Sequence, residues 1–135
     1  MIKMHIKART ISTGIATGVV LISHDPISFF GGVDPGTGII VEKGHALEGI
    51  SISGKILLFP KGKGSTVGSY TLYRLKKNNK APLAIINKEC EAIVAVGAII
   101  SEIPAIDKLE KDPYEILKDG MIVTVDAKKG VLILG

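Results

Sequence analysis

Tryptophan is absent and aromatic residues make up only 4% of the 135 residues, so the chain has little with which to stack nucleobases. No zinc-finger or RNA-recognition signature offsets that lack, and no nucleic-acid partner is expected. The one cysteine, Cys90, excludes an internal disulfide framework. Nor can it hold a zinc ion or an iron–sulfur cluster alone, since those need about three or four protein ligands. The histidines, His5, His24 and His45, lack the i, i+4 spacing that sets two imidazoles on one helical face, so no metal site is expected from this chain. Long hydrophobic runs are missing as well. The apolar stretches are short and broken by Gly, Pro or charge, far below the roughly 18 residues that span a bilayer, and no membrane segment is expected. MIKMHIKART, at residues 1–10, mixes charge with isolated apolar residues and lacks the apolar centre of a secretory signal. A cytoplasmic location is the corresponding expectation.

Charge is modestly positive, +4 from 17 Lys and Arg against 13 Asp and Glu, a balance suited to an anionic small molecule or an acidic partner surface. The densest basic run, Arg74-Leu75-Lys76-Lys77 with Lys80, falls at a predicted helix C-terminus, where the helix dipole favours cations. With 46% hydrophobic residues the chain is expected to bury a normal core as one domain, residues 1–135.

The first half reads as strands and turns. Met4, Ile6 and Ala8 alternate with Lys3, His5 and Lys7, and Gly14 and Gly18 bracket a second apolar unit that continues to Ile22. SHDPISFFGGVDPGTG, residues 23–38, carries two Asp-Pro dipeptides and four glycines, which specify a shaped loop. Ile39–Val41 reads as a short strand, followed by an irregular connection. From residue 55 the pattern becomes strand, helix, strand. Ile56–Phe59 and Leu83–Ile86 are apolar without alternation, as strands buried on both faces are, and residues 66–78 between them suit a helix. Residues 91–96 suit a second helix leading into Ala98–Ile100, or one longer strand. Met121–Val125 and Val131–Leu134 form a predicted hairpin. The fold class is α/β, and ligands in such sheets sit beyond the carboxyl ends of the parallel strands.

FPKGKGSTVGSY, residues 59–70, lies at such an end. It fails the phosphate-binding loop pattern, because Leu57 stands where the first glycine belongs and Gly64 separates Lys63 from Ser65. A glycine-rich turn opening a helix still lets the backbone approach a ligand and points N–H groups outward. Ser65 suits a helix N-cap. It equally suits a nucleophile or base whose anion the helix N-terminus and Lys61 or Lys63 would stabilise. The residues alone leave both roles open.

SFFGGVDPGTGIIVEKGHALEGISISGKILLFPKGKGSTVGSYTLYRL, with APLAIINKECEAIVAVGAIISEIPAID and DGMIVTVDAKKGVLI, resembles the aconitase X swivel-domain family in its stand-alone archaeal form. GGVDPGTG and GKGSTVGSY are its specific parts. The resemblance covers nearly the whole chain. It implies a single swivelling β/β/α domain of the aconitase type, docked as a small subunit on a larger catalytic subunit that carries a four-iron four-sulfur cluster. The implied reaction is a hydro-lyase step of the archaeal mevalonate route to isoprenoids: removal of water from (R)-5-phosphomevalonate to give trans-anhydromevalonate 5-phosphate. Ser65 matches the family's proton-accepting serine. Ordinary aconitases follow a Ser pair in this turn with an arginine that binds a substrate carboxylate. Thr66 and Val67 stand there instead, which argues against a citrate-like substrate. Gly62, Lys63, Gly64 and Thr66, with Gly32 and Asp34 of the Gly31–Gly38 loop, are the candidate substrate-binding residues, Asp34 having as its blander account the forming of a turn before Pro35. Cys90 is expected to be a buried, inert thiol. Two other readings stay open: a subunit of a cis-3-hydroxy-L-proline dehydratase, or a non-catalytic module completing a partner's cleft.

Overall fold

Alternating and continuous apolar patterns build two different halves of one sheet. The computed structural model describes residues 3–135. Along the chain it runs β1 (Met4–Lys7), β2 (Arg9–Ser12), β3 (Ile15–Ile22), α1 (Phe29–Gly32), β4 (Ile56–Phe59), α2 (Gly68–Lys77), β5 (Ala84–Asn87), α3 (Ala92–Ile100), β6 (Ala105–Asp107), α4 (Pro113–Ile116), β7 (Ile122–Asp126) and β8 (Val131–Leu134). The strand order is β1-β8-β7-β3-β4-β5-β6-β2. β3, β4, β5 and β6 are parallel neighbours, while β1, β8, β7 and β3 pair antiparallel.

β1 and β2 stand at opposite ends of this order although only Ala8 separates them, so the sheet must curl until its two ends meet. The meeting point is held by Ala8 N–H donating to Gly130 O at 2.8 Å and by Thr10 Oγ1 donating to Ala127 O at 2.8 Å. The curl creates a core between the halves, made of Ile6, Val20, Ile56, Leu58, Ile86, Ile106, Val123, Val125 and Leu132 among others. On the other face of the parallel strands, Leu57, Phe59 and Ile85 pack against Leu72 and Leu75 of α2 and Val94 and Ala98 of α3. The layers are therefore sheet, sheet and helices. β4 is buried along its whole length because its odd and even residues face different cores.

Several elements differ from the sequence reading. Residues 39–41 form no strand; Ile39 and Ile40 make only isolated bridges to Ser51 and Val33, since the chain turns again at once through residues 43–50. The first long helix begins at Gly68 and not at residue 66. Residues 92–100 are helical throughout, which removes the longer-strand alternative. β6 and α4 are additions, both too short to leave a periodic pattern. Met4 is half exposed at the sheet's corner, so the alternation of β1 buries only Ile6 fully.

Leu57 is fully buried between the parallel strands and the helices. Leu57→Ala should lower unfolding free energy by about 2–5 kcal/mol in a urea titration, with an unchanged slope.

Candidate active site

Beyond Phe59 the chain meets Pro60, which has no N–H to continue a ladder. Residues 61–63 then lie along residues 26–28: Ile27 N–H donates to Lys61 O at 3.2 Å and Lys63 N–H to Ile27 O at 3.0 Å. Gly62 bridges Ile27 here and is buried, and a Cβ on it would stand 2.6 Å from Val94 Cγ2. Gly64 has φ +91°, and a Cβ on it would stand 2.6 Å from Ser28 Oγ. The conformation thus favours glycine at residue 64, and a side chain there would also displace the Ser28 hydroxyl.

Ser65 follows, exposed. Its Oγ accepts the N–H of Val67 at 3.1 Å, and its carbonyl accepts Gly68 N–H at 2.9 Å. This is a capping bond made two residues early: the regular helix has Val67 at its N-cap, without a side-chain bond. The N–H groups of Gly64, Ser65 and Thr66 donate to no acceptor among the described residues. Three consecutive exposed amides thus lack an acceptor within the chain, just ahead of the positive end of a ten-residue helix.

The second wall is α1, whose interior dihedrals at Phe30 (φ −77°, ψ 116°) and Gly31 (φ 83°, ψ −18°) are those of a type II turn. Gly32 accepts Val41 N–H at 2.9 Å and lies against Glu42 and Ser28. Glu42 in turn holds Lys63, Nζ to Oε2 2.9 Å, while Lys61 stands 3.9 Å from Glu91. Gly32, Gly62, Lys63, Gly64, Ser65 and Thr66 are thereby gathered in one place, joined through Ser28 and Glu42. Neither of those two carried a signal in the sequence, because each acts across more than twenty residues of chain.

Asp34 stands just beyond α1. Its carboxylate accepts Gly36 N–H at 3.1 Å and Thr37 Oγ1–H at 2.9 Å, and Asn78 Nδ2 ties the next carbonyl, Pro35 O, at 2.7 Å to the far end of α2. Asp34 lines a shallow cleft of about 410 Å³ with Phe30, Val41, Thr71 and Arg74. The Gly36 and Thr37 bonds, with a smaller contribution from Arg74, hold its carboxyl below the usual range. Its geometry is that of a turn former.

Cys90 is half-buried, with its N–H donating to Asp107 Oδ2 at 2.7 Å. Burial, reinforced by the Asp107 charge, pushes its thiol pKa up to about 12. His45 is buried with Nε2 at 2.9 Å from Pro26 O and Nδ1 accepting Leu47 N–H at 3.0 Å, and His24 stacks on Tyr114 at 5.0 Å. Among the described residues no three His, Cys, Asp or Glu side chains gather as a metal site would require. This chain's residues do not fit an iron–sulfur cluster.

Comparison with known proteins settles the family. The model of the aconitase X swivel domain matches residues 5–134. The chain belongs to that family. It is 66% identical over 134 residues to a phosphomevalonate dehydratase small subunit of Methanosarcina mazei, covering 99% of this chain and 93% of that protein. It is 57% identical over 127 residues to one of Thermococcus kodakarensis, covering 94% and 93%. The crystal structure of Thermococcus kodakaraensis aconitase X in its holo form superposes with a TM-score of 0.91 at 55% identity, covering 98% of this chain and 99% of that one. The sheet–sheet–helix layering is thus the swivel fold of this family.

Gly64→Ala should cost about 1–2 kcal/mol in thermal or urea unfolding, because alanine must hold the left-handed conformation against Ser28. Cys90 should alkylate roughly 10²–10³-fold more slowly at pH 8 in the folded chain than in urea, measured by iodoacetamide uptake. Folding stability inherits the same shift. The folded thiol keeps its proton after the unfolded one has ionised, so its contribution is full below about pH 8.5 and is lost as pH rises toward 12.

Proposed function

We propose that this chain is the small subunit of a hydro-lyase that dehydrates (R)-5-phosphomevalonate to trans-anhydromevalonate 5-phosphate, with Ser65 as its base. The observation that carries the assignment of the base is the Ser65 hydroxyl, exposed in a glycine-lined turn and already accepting one backbone N–H. The substrate and pathway rest on relatives that share the name over nearly the whole chain. No finding favours cis-3-hydroxy-L-proline.

A serine hydroxyl is too weak an acid to ionise unaided at neutral pH. Hydrogen bonds that are made to the charged form favour it, and here the Val67 N–H already donates to Oγ. The N-terminus of α2 adds positive potential, and its first turn carries no acidic residue to oppose it. The alkoxide would take the proton from the carbon next to the substrate's carboxylate. The electrons of that C–H bond would form the double bond as the hydroxyl leaves the neighbouring carbon. The free amides of Gly64, Ser65 and Thr66 would hold one anionic group of the substrate. Lys63 would lend charge while Glu42 fixes its direction.

Departure of the hydroxyl needs an acid, and we assign that role to an iron–sulfur cluster on the larger subunit that the relatives' name "small subunit" implies. The surface around Ser65 supports such a partner. Phe30, Val41, Val67 and Tyr70 are 54%, 49%, 47% and 63% exposed beside the turn, apolar surface that a docked partner would cover. We place the assembly in the cytoplasm. No helix among the described residues is long and apolar enough to cross a membrane.

Ser65→Ala in the co-expressed complex should leave assembly intact and lower turnover about 10²-fold or more, assayed by water loss from 5-phosphomevalonate. Near-normal turnover would return the chain to the role of a non-catalytic module. Val67→Glu should weaken assembly about tenfold or more in a titration against the large subunit, while leaving the melting temperature of the isolated chain within a few degrees.

A further inference from the structure

Asn87, the last residue of β5, is fully buried and paired in register with Phe59, the last residue of β4. Its Nδ2 donates to Phe59 O at 2.9 Å. Its Oδ1 meets no donor, one of two such buried side-chain atoms among the described residues. Leucine would fill nearly the same volume without an amide oxygen stranded in the core. The amide is therefore better accounted for by what its N–H holds than by packing.

What it holds is the point from which both walls of the site hang. The Phe59 carbonyl is the last of its strand, because Pro60 follows and the six residues to Ser65 leave the sheet there. On the same residue the ring packs edge-on against Phe29 at 5.7 Å, and Phe29 follows Ser28, the residue against which Gly64 is fitted. A rotation of the Phe59–Pro60 peptide would therefore shift the Ser65 turn and its opposing wall together. We infer that Asn87 is a positioning residue for Ser65, its side-chain amide fixing the peptide at which the catalytic turn leaves β4. The inference rests on Ser65 being the base.

The test uses the complex with the large subunit and compares Asn87→Leu, Ser65→Ala and the double variant. Asn87→Leu should melt within a few degrees of the wild type and lower kcat about 10–10²-fold, with KM changed less than about threefold, since small displacements of a reacting group cost rate before binding. The kinetic isotope effect on substrate deuterated at the carbon that loses its proton should rise. In the Ser65→Ala background the same substitution should cost less than about twofold, because a group acting only through Ser65 has nothing left to position. Wild-type kcat in Asn87→Leu, or an equal fold loss in both backgrounds, would overturn the inference while leaving the base assignment standing. Full turnover in Ser65→Ala would remove the base assignment and this inference with it. Should Asn87→Leu fail to assemble, Asn87→Asp decides: only its protonated form can donate to Phe59 O, so its kcat relative to wild type should climb as pH falls, and a flat ratio would refute the role.

Discussion

Pro60 ends a strand that both cores would otherwise carry further, and the site depends on that interruption. β4 is fastened on both faces, by the sheet–sheet core through Ile56 and Leu58 and by the helices through Leu57 and Phe59. A strand so fastened is among the stiffest elements a small domain has, and burying each of its side chains is worth about 1.5–3 kcal/mol. Placing the turn directly beyond it lets a glycine-rich segment be flexible in kind yet fixed in place. Its position is then set by Ile27 on one side and by Val94 under Gly62 on the other.

The same turn has room for both roles that the residues left open. The hydroxyl of Ser65 does cap, but it caps Val67 ahead of the regular helix, and the bond it accepts is the kind that makes an alkoxide less costly. If Ser65 is the base we propose, its structural and chemical roles share one hydrogen bond. The lysines show a comparable economy: Lys63 is not loose on the surface but aimed by Glu42, which has room beside Gly32 because that residue lacks a side chain.

Legibility in the sequence followed range. The doubly buried strands could be read from ILLF and LAII because a short apolar run without alternation suits a strand covered on both faces, and the Asp126–Gly130 turn announced the terminal hairpin. The three-residue β6 gave too short a pattern to separate from the helix before it. Residues 39–41 looked like a strand but had no ladder to join, since pairing depends on partners that local composition does not name. At the site, the glycines and Ser65 were visible because their chemistry is local. Ser28, Glu42 and Asn87 were not, as each works through a neighbour 21–36 positions away, and an isolated Ser, Glu or Asn has no periodic signature. Asp34 shows the converse, a carboxylate whose sequence context suited either a cleft or a turn and whose hydrogen bonds serve the turn.

The pairing of β1 with β8, Met4 opposite Leu134, has a consequence for biosynthesis. β1 gains this hydrogen-bonding neighbour only once residues 131–134 have been translated, after every other strand of the sheet. Ile6 on its apolar face waits for that partner, so closing the curled sheet is a long-range event.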